Sequence, residues 1–290
     1  EETGKNGEEF LETILNRNIS PAKTILDRFQ VSTKNVAALV RGDFEPLSFL
    51  LNGSLDIDNL DNVARFKKTA RIKGKNYNPV AIASSFRFQD ERWTLLDACY
   101  GEVENWLEAR EAIYETFYSD PHLALVAMID RALQIAFFEK EIEPDIFFLL
   151  DDDSTLQYLQ SCNTRTAHLI AKVRSQAPSE RYQQILCSEY TGDAPGQIKL
   201  LASQWSKRKQ FADRISRVFH LPEEYIAIYA DEGRERKNIT VPFVDATGKI
   251  TRTIPPSMPI YRFIAYASPC LAPDITNQIQ RFLIEEIDKK

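Results

Sequence analysis

Glycine, cysteine, histidine and methionine are all scarce in this 290-residue chain, and each shortage excludes something. Ten glycines are too few for a Gly-rich sandwich or a phosphate-cradling loop protein. No P-loop, GxGxxG or GxSxG pattern occurs, so nucleotide-loop, dinucleotide and hydrolase-elbow readings have no support. The four cysteines, Cys99, Cys162, Cys187 and Cys270, are far apart and form no CxxC pair. Zinc-ribbon and thioredoxin-like sites are thereby excluded, and a reduced cytoplasmic protein with buried thiols is expected. The three histidines, His122, His168 and His220, have no catalytic spacing and are expected to be structural or on the surface. No apolar run approaches the roughly 18 residues of a bilayer span, and no signal peptide is visible, so no membrane association is expected. The first residue is Glu1 and the only methionines are Met128 and Met258, so the numbering is expected to begin inside a longer protein.

What is present is ordinary globular composition, 43% hydrophobic and 27% charged, with a net charge of −6. The acidic balance disfavours broad nucleic-acid binding, which needs a basic surface. Punctuation implies a helical body. Ser20-Pro21 starts one helix, Ser32 or Thr33 caps a second that ends at Arg41-Gly42, and Pro46 opens a third running to Gly53. Apolar residues from Val103 to Phe117 recur at three- and four-residue intervals. Asp120-Pro121 breaks that pattern, and it resumes over 123–138. Further helices are expected after a cap at Asp153 or Ser154, over 163–174 and over 197–217, the last basic-faced through Lys199, Lys207, Arg208, Lys209 and Arg214. Strands are expected at 225–231, 239–245, 250–254 and 260–266, with a closing helix at 274–287. The aromatic residues Trp106, Tyr114, Phe117 and Tyr118 fall at helical spacing and read as core packing. Two domains follow from this reading: a helical body over 1–195 and a small α+β lobe over 196–290.

One segment, GSLDIDNLDNVARF over 53–66, carries potential chemistry. Leu55, Leu60 and Val63 mark an apolar helical face, interrupted by Asp56, Asp58 and Asp61. On a helix Asp58, Asp61 and Arg65 share one face. Such a cluster can hold a divalent cation through oxygen ligands, or it can be a capped and salt-bridged structural element. The basic stretch Lys67, Lys68, Arg71, Lys73 and Lys75 follows directly.

This segment resembles the fourth motif of HD-superfamily phosphohydrolases of the dNTP triphosphohydrolase-like branch. There an Asp-x-Asp-(Lys/Arg)-x-Asp-Tyr run ends in Arg-Asp. The helix WLEAREAIYETFYSDP over 106–121 also resembles that family, as do FFLLDDDSTLQYL over 147–159 and RYQQIL over 181–186, the latter two as later helices. The resemblance implies a mainly α fold with an HD-type helical body and a small C-terminal α+β lobe. It implies hydrolysis of a nucleotide or another phosphorylated small molecule, a divalent cation as cofactor and a homo-oligomer. Residue by residue, it assigns Asp58 as a metal ligand and Asp61 and Arg65 to the catalytic cluster. Asn62, Tyr118 and Lys67 fall to the substrate pocket. The sequence departs from the family at Asn59, where a basic residue is usual, at Asn62 in place of tyrosine, and at Phe66 in place of an acid. The family's His and His-Asp ligands precede this motif, whereas all three histidines here follow it. Activity is therefore expected only with an HD segment outside this chain. The alternative is a catalytically inactive HD-derived module that binds, regulates or oligomerises.

Overall fold

The computed structural model describes residues 11–12, 15–16, 21–147, 150–175, 177–233 and 237–287. In chain order its helices are α1 (Pro21–Arg28), α2 (Thr33–Arg41), α3 (Phe49–Asn52), α4 (Ile57–Thr69), α5 (Pro79–Ser85), α6 (Tyr100–Phe117) and α7 (Asp120–Phe138). They continue with α8 (Pro144–Phe147), α9 (Asp152–Ser161), α10 (Thr164–Ser175), α11 (Gly196–Ser203), α12 (Trp205–Val218) and α13 (Pro273–Ile287). The strands are β1 (Phe86–Gln89), β2 (Arg92–Leu96), β3 (Gln183–Thr191), β4 (Ile226–Glu232), β5 (Phe243–Val244), β6 (Ile250–Arg252) and β7 (Ile260–Ala267). The chain is mainly α with a smaller α+β region toward its C-terminus, as its punctuation implies.

Two compact units form. One comprises residues 117–233 and 258–287, and the other comprises the described residues up to 116 together with 237–257. Residues 195 and 196 lie inside the first unit, at the start of α11.

The first unit is built on an antiparallel sheet of order β3-β7-β4. Its central strand, IYRFIAYA, is buried on both faces and therefore reads as a nearly continuous apolar run. Phe263, Ala265 and Ala267 of β7 meet Ile226, Ile228 and Ala230 of β4 on one face, covered by α11, α12 and α13. Ile264, Tyr266 and Ala227 point the other way, onto α7, α9 and α10. Period-two alternation thus gives each strand two cores at once.

Core helix α7 is long and apolar enough, by length and composition, to cross a membrane, although half of that stretch is buried inside the protein. Its centre carries Arg131, only 1% exposed, whose donors are taken up locally. Nη2 reaches Asp213 of α12 at 2.6 Å, and Nε and Nη2 reach the Glu223 carbonyl at 3.1 and 2.9 Å. Neighbouring Asp130 accepts from Trp205 Nε1 at 2.5 Å and Gln134 Nε2 at 3.1 Å, and burial pushes its carboxyl above the ordinary aspartate range. With Nη1 also reaching Gln134 Oε1 at 3.3 Å, all three guanidinium nitrogens have acceptors, which is what lets a cation be buried this deeply.

In the second unit, β1 and β2 form a hairpin whose turn residues Asp90 and Glu91 both have positive φ, as a type I′ turn requires. Strand β5 joins β2 in parallel and β6 completes the order β1-β2-β5-β6. Phe49 stacks on Trp93 at 6.1 Å, and Phe86 and Phe88 pack on the same indole. Trp106 of α6 is fully buried, consistent with the core role expected for that aromatic stripe.

Several expectations need correction. The segment 183–191, whose first residues fall in the helix expected over 181–186, is strand β3, because it pairs along its length with β7. The expected helix 197–217 is two helices, divided at Gln204 in an extended conformation (φ −125°, ψ 110°). The cap of α9 is Asp151, which accepts from Ser154 N at 2.8 Å, rather than Asp153 or Ser154. The third helix starts at Phe49 instead of Pro46. The expected strand 239–245 shrinks to two residues. No element is expected from sequence over 79–96, where α5, β1 and β2 form. Gly42 does end α2, in the left-handed conformation at φ 91°. Ser20, Phe148 and Leu149 lie outside the described residues.

Replacing Arg131 by Met removes one partner of a buried pair and leaves Asp213 and the Glu223 carbonyl short of donors. Chemical denaturation should show a loss of about 3 kcal/mol. A loss below about 1 kcal/mol would mean the pair contributes little.

Candidate functional site

Helix α4 carries the acidic segment, and its two sides do different things. Its first turn is capped by Asp56, which has extended backbone (φ −112°, ψ 156°) and accepts from Asn59 N at 2.6 Å. A side chain at this position folds back over the helix N-terminus, so Asp56 is buried at 2% exposure. Asn59, three residues on, returns its side-chain amide to both Asp56 oxygens at 3.0 and 2.8 Å. Lys237 closes the cluster, its ammonium 2.6 Å from Asp56 Oδ2.

On the other side of Asn59 stands Arg110 of α6, only 6% exposed, donating to Asn59 Oδ1 at 3.0 Å. Its guanidinium lies 4.5 Å above the Tyr114 ring and also reaches the Tyr114 hydroxyl at 3.3 Å. Lys237, Asp56, Asn59, Arg110 and Tyr114 therefore form one partly buried polar chain beside Leu55, Leu60 and Val63. Within it the cation–carboxylate bond and both amide bonds are made, the condition under which such a network stabilises.

Asp58 lies on the opposite, exposed side. Asn62 Nδ2 donates to Asp58 Oδ2 at 2.7 Å, Arg65 donates to Asn62 Oδ1, and Arg65 Nε pairs with Asp61 Oδ2 at 2.6 Å. Arg65 and Asp61 are each almost two-thirds exposed, so this ladder of three- and four-residue spacings contributes little to stability. Asp58 also lies in the first turn, where a carboxylate complements the helix dipole.

The basic stretch after α4 is partly self-satisfied. Lys67 Nζ donates to the Gly74 carbonyl at 2.7 Å, to Asn76 Oδ1 at 2.7 Å and to the Lys75 carbonyl. Those three acceptors match the three donors of an ammonium group, so Lys67 staples the loop 74–76. An open hollow of about 400 Å³ lies beside it, lined by Ala64, Lys67, Lys68, Ile72, Asn76 and Tyr77. The Tyr77 phenol donates to the Leu60 carbonyl, and burial pushes its pKa well above the ordinary tyrosine range.

Of the residues singled out from sequence, Asp58, Asp61, Asn62, Arg65 and Lys67 are thus together on α4. Tyr118 belongs to the other compact unit. There its hydroxyl donates to Asp231 Oδ2 at 3.0 Å, an oxygen shared with Tyr229 at 2.8 Å. The Arg262 guanidinium lies 4.0 Å over the Tyr118 ring. The buried partners Asp56, Asn59, Arg110 and Lys237 were missed as a set. The Asp-x-x-Asn spacing of a helix cap was the signal available for the first two.

A divalent cation needs several oxygen or imidazole donors converging on one point. Among the described residues no group of three or more His, Cys, Asp or Glu is placed to share one. The described residues do not by themselves fit a catalytic cation.

No family model matches this sequence. No curated protein matches it either. Solved structures do. A phosphohydrolase from Bacteroides thetaiotaomicron superposes with a TM-score of 0.55 at 14% identity, over 90% of this chain and 75% of its own. A hypothetical protein from Aquifex aeolicus gives 0.58 at 12% identity, over 96% and 75%. The chain therefore shares its fold with these two structures along nearly its whole length.

Because Asp56 and Asp58 sit two residues apart in opposite environments, their substitutions should differ sharply. Asp56→Ala removes the cap and leaves Lys237 beside an empty position, so urea denaturation should show a loss of about 3 kcal/mol. Asp58→Ala should change stability by no more than about 0.5 kcal/mol. Equal losses would show that the two acids do not have separate roles.

Proposed function

We propose that this chain belongs to a phosphohydrolase acting on a nucleotide or another phosphorylated small molecule. In this reading Asp58 is one ligand to a divalent cation, and the remaining ligands come from residues outside these 290. The observation that carries it is the fold likeness to a phosphohydrolase across 90% of the chain. The exposed placement of Asp58 supports it, since that carboxylate stands in solvent while its neighbour Asp56 does the structural work. Arg65 and Asp61 form an exposed pair one turn further along the same helix. No catalytic step is assigned through the cation, because the donors needed to hold it are not among the described residues.

A second reading is favoured by a specific observation. Asn59 stands where the resemblance leads one to expect a basic residue, and its side chain is committed inward to Asp56 and Arg110. Asn62, where a tyrosine is expected, is bonded to Asp58 and Arg65. Both contacts suit a scaffold that has kept the helix and given up the substrate contacts, acting as an inactive binding or regulatory module.

The test is hydrolysis by the intact gene product, assayed over nucleotides and phosphomonoesters with Mn²⁺, Mg²⁺ or Zn²⁺. Under the first reading, phosphate or tripolyphosphate release should depend on the cation, and Asp58→Asn should lower it at least about 100-fold. Loss of hydrolysis without loss of the folded state would assign Asp58 to chemistry. Complete inactivity with every cation would overturn the first reading and leave the second.

A further inference from the structure

The sheet of the first unit has two edges, and they are finished differently. On the β4 edge Arg208 Nη1 donates to the Ala230 carbonyl at 2.7 Å. The β3 edge is nine residues long, and among the described residues no other backbone group pairs with it on the side away from β7. Its sequence, QQILCSEYT, contains neither proline nor lysine, the residues that usually protect an edge. Its single charge, Glu189, is held by Arg262 from β7 at 2.6 Å.

We infer that β3 is a dimerisation edge, where a second copy of this chain pairs antiparallel through its own β3 to make a continuous six-stranded sheet.

The regular part of the strand fixes the register. A β-bulge falls between Gln184 and Leu186, so the uninterrupted stretch begins at Leu186. A two-fold pairing places one residue opposite itself. Glu189 at that position would oppose two like charges, which is unfavourable. Cys187 there would draw the bulge into the ladder. Ser188 at the two-fold keeps 186–190 symmetric and sets Leu186 opposite the partner's Tyr190 twice over. Leu186 and Tyr190 already pack against the apolar core on that face, so the pairing extends the core across the interface. Cys187 then faces the partner's Glu189, with no like charges opposed.

A two-fold pairing uses up the β3 edge of both copies, so this contact closes as a dimer.

The test is sedimentation of the 290-residue chain over a wide concentration range. A species of twice the 33.3 kDa chain mass is expected. Ser188→Lys opposes two ammonium groups at the two-fold, and dimerisation should weaken at least about fivefold. Because that variant could instead disturb the monomer, a second one reports on the pairing directly. Ser188→Cys, in a Cys187→Ser, Cys270→Ser background, brings two thiols to about 4.5–5.5 Å between Cα atoms, within disulfide reach. Mild oxidation should therefore give a covalent dimer that reduction reverses. A monomer at every concentration up to the solubility limit would overturn the inference. So would a dimer that Ser188→Lys leaves intact and Ser188→Cys fails to cross-link.

Discussion

Much of the second unit hangs on the carboxylate of Asp56. It begins α4, it receives the amide of Asn59, and it holds an ammonium that arrives 181 residues later in the sequence. The segment 237–257 must return to this unit after the chain has built most of the other one, and it then supplies strands β5 and β6. Closing so long an excursion costs conformational entropy that grows only slowly with length, so a few well-placed contacts suffice to fix the return. The Lys237–Asp56 bond is one, and the hydroxyl of Ser54, which meets both Thr240 N and its Oγ1 at 3.0 Å, is another. The parallel pairing of β5 with β2 follows from that anchoring.

The same arrangement explains what sequence could and could not convey. Local signals were legible: Gly42 in the left-handed region ends α2, Asp120-Pro121 separates α6 from α7, and the nearly continuous apolar run of 260–267 marks the central strand. Long-range facts were not. Strand β3 is defined by its pairing with β7, roughly seventy residues away, and its short opening run has no period that separates strand from helix. Gln204 carries no breaker residue. The division between α11 and α12 there coincides with the indole of Trp205 binding Asp130 on α7, a tertiary contact. At the site, spacing grouped three acids, whereas the cap geometry divides them between a buried network and a solvent ladder.

That division bears on chemistry. Asp-x-Asp on a helix start is usually pictured as a pair of equivalent donors, but the capping position and the second helical position face different surroundings. Asp56 has its lone pairs taken by an amide, a backbone N–H and an ammonium, so it cannot also serve a cation without dismantling α4. Asp58 has one side-chain donor, Asn62, on an exposed surface, an interaction of small cost to exchange. If one carboxylate of this segment meets a ligand, physical availability selects Asp58. The inward turn of Asn59 then has a clear consequence. An amide that bridges Asp56 and Arg110 secures the helix but offers no positive charge to a phosphate, so any phosphate recognition has to come from other cations. Lys67 is committed to loop carbonyls, which leaves Lys68 and its neighbours around the open hollow as the nearest candidates. The segment is thus built first to hold a helix in place, and Asp58 is the acid it leaves most available to a ligand.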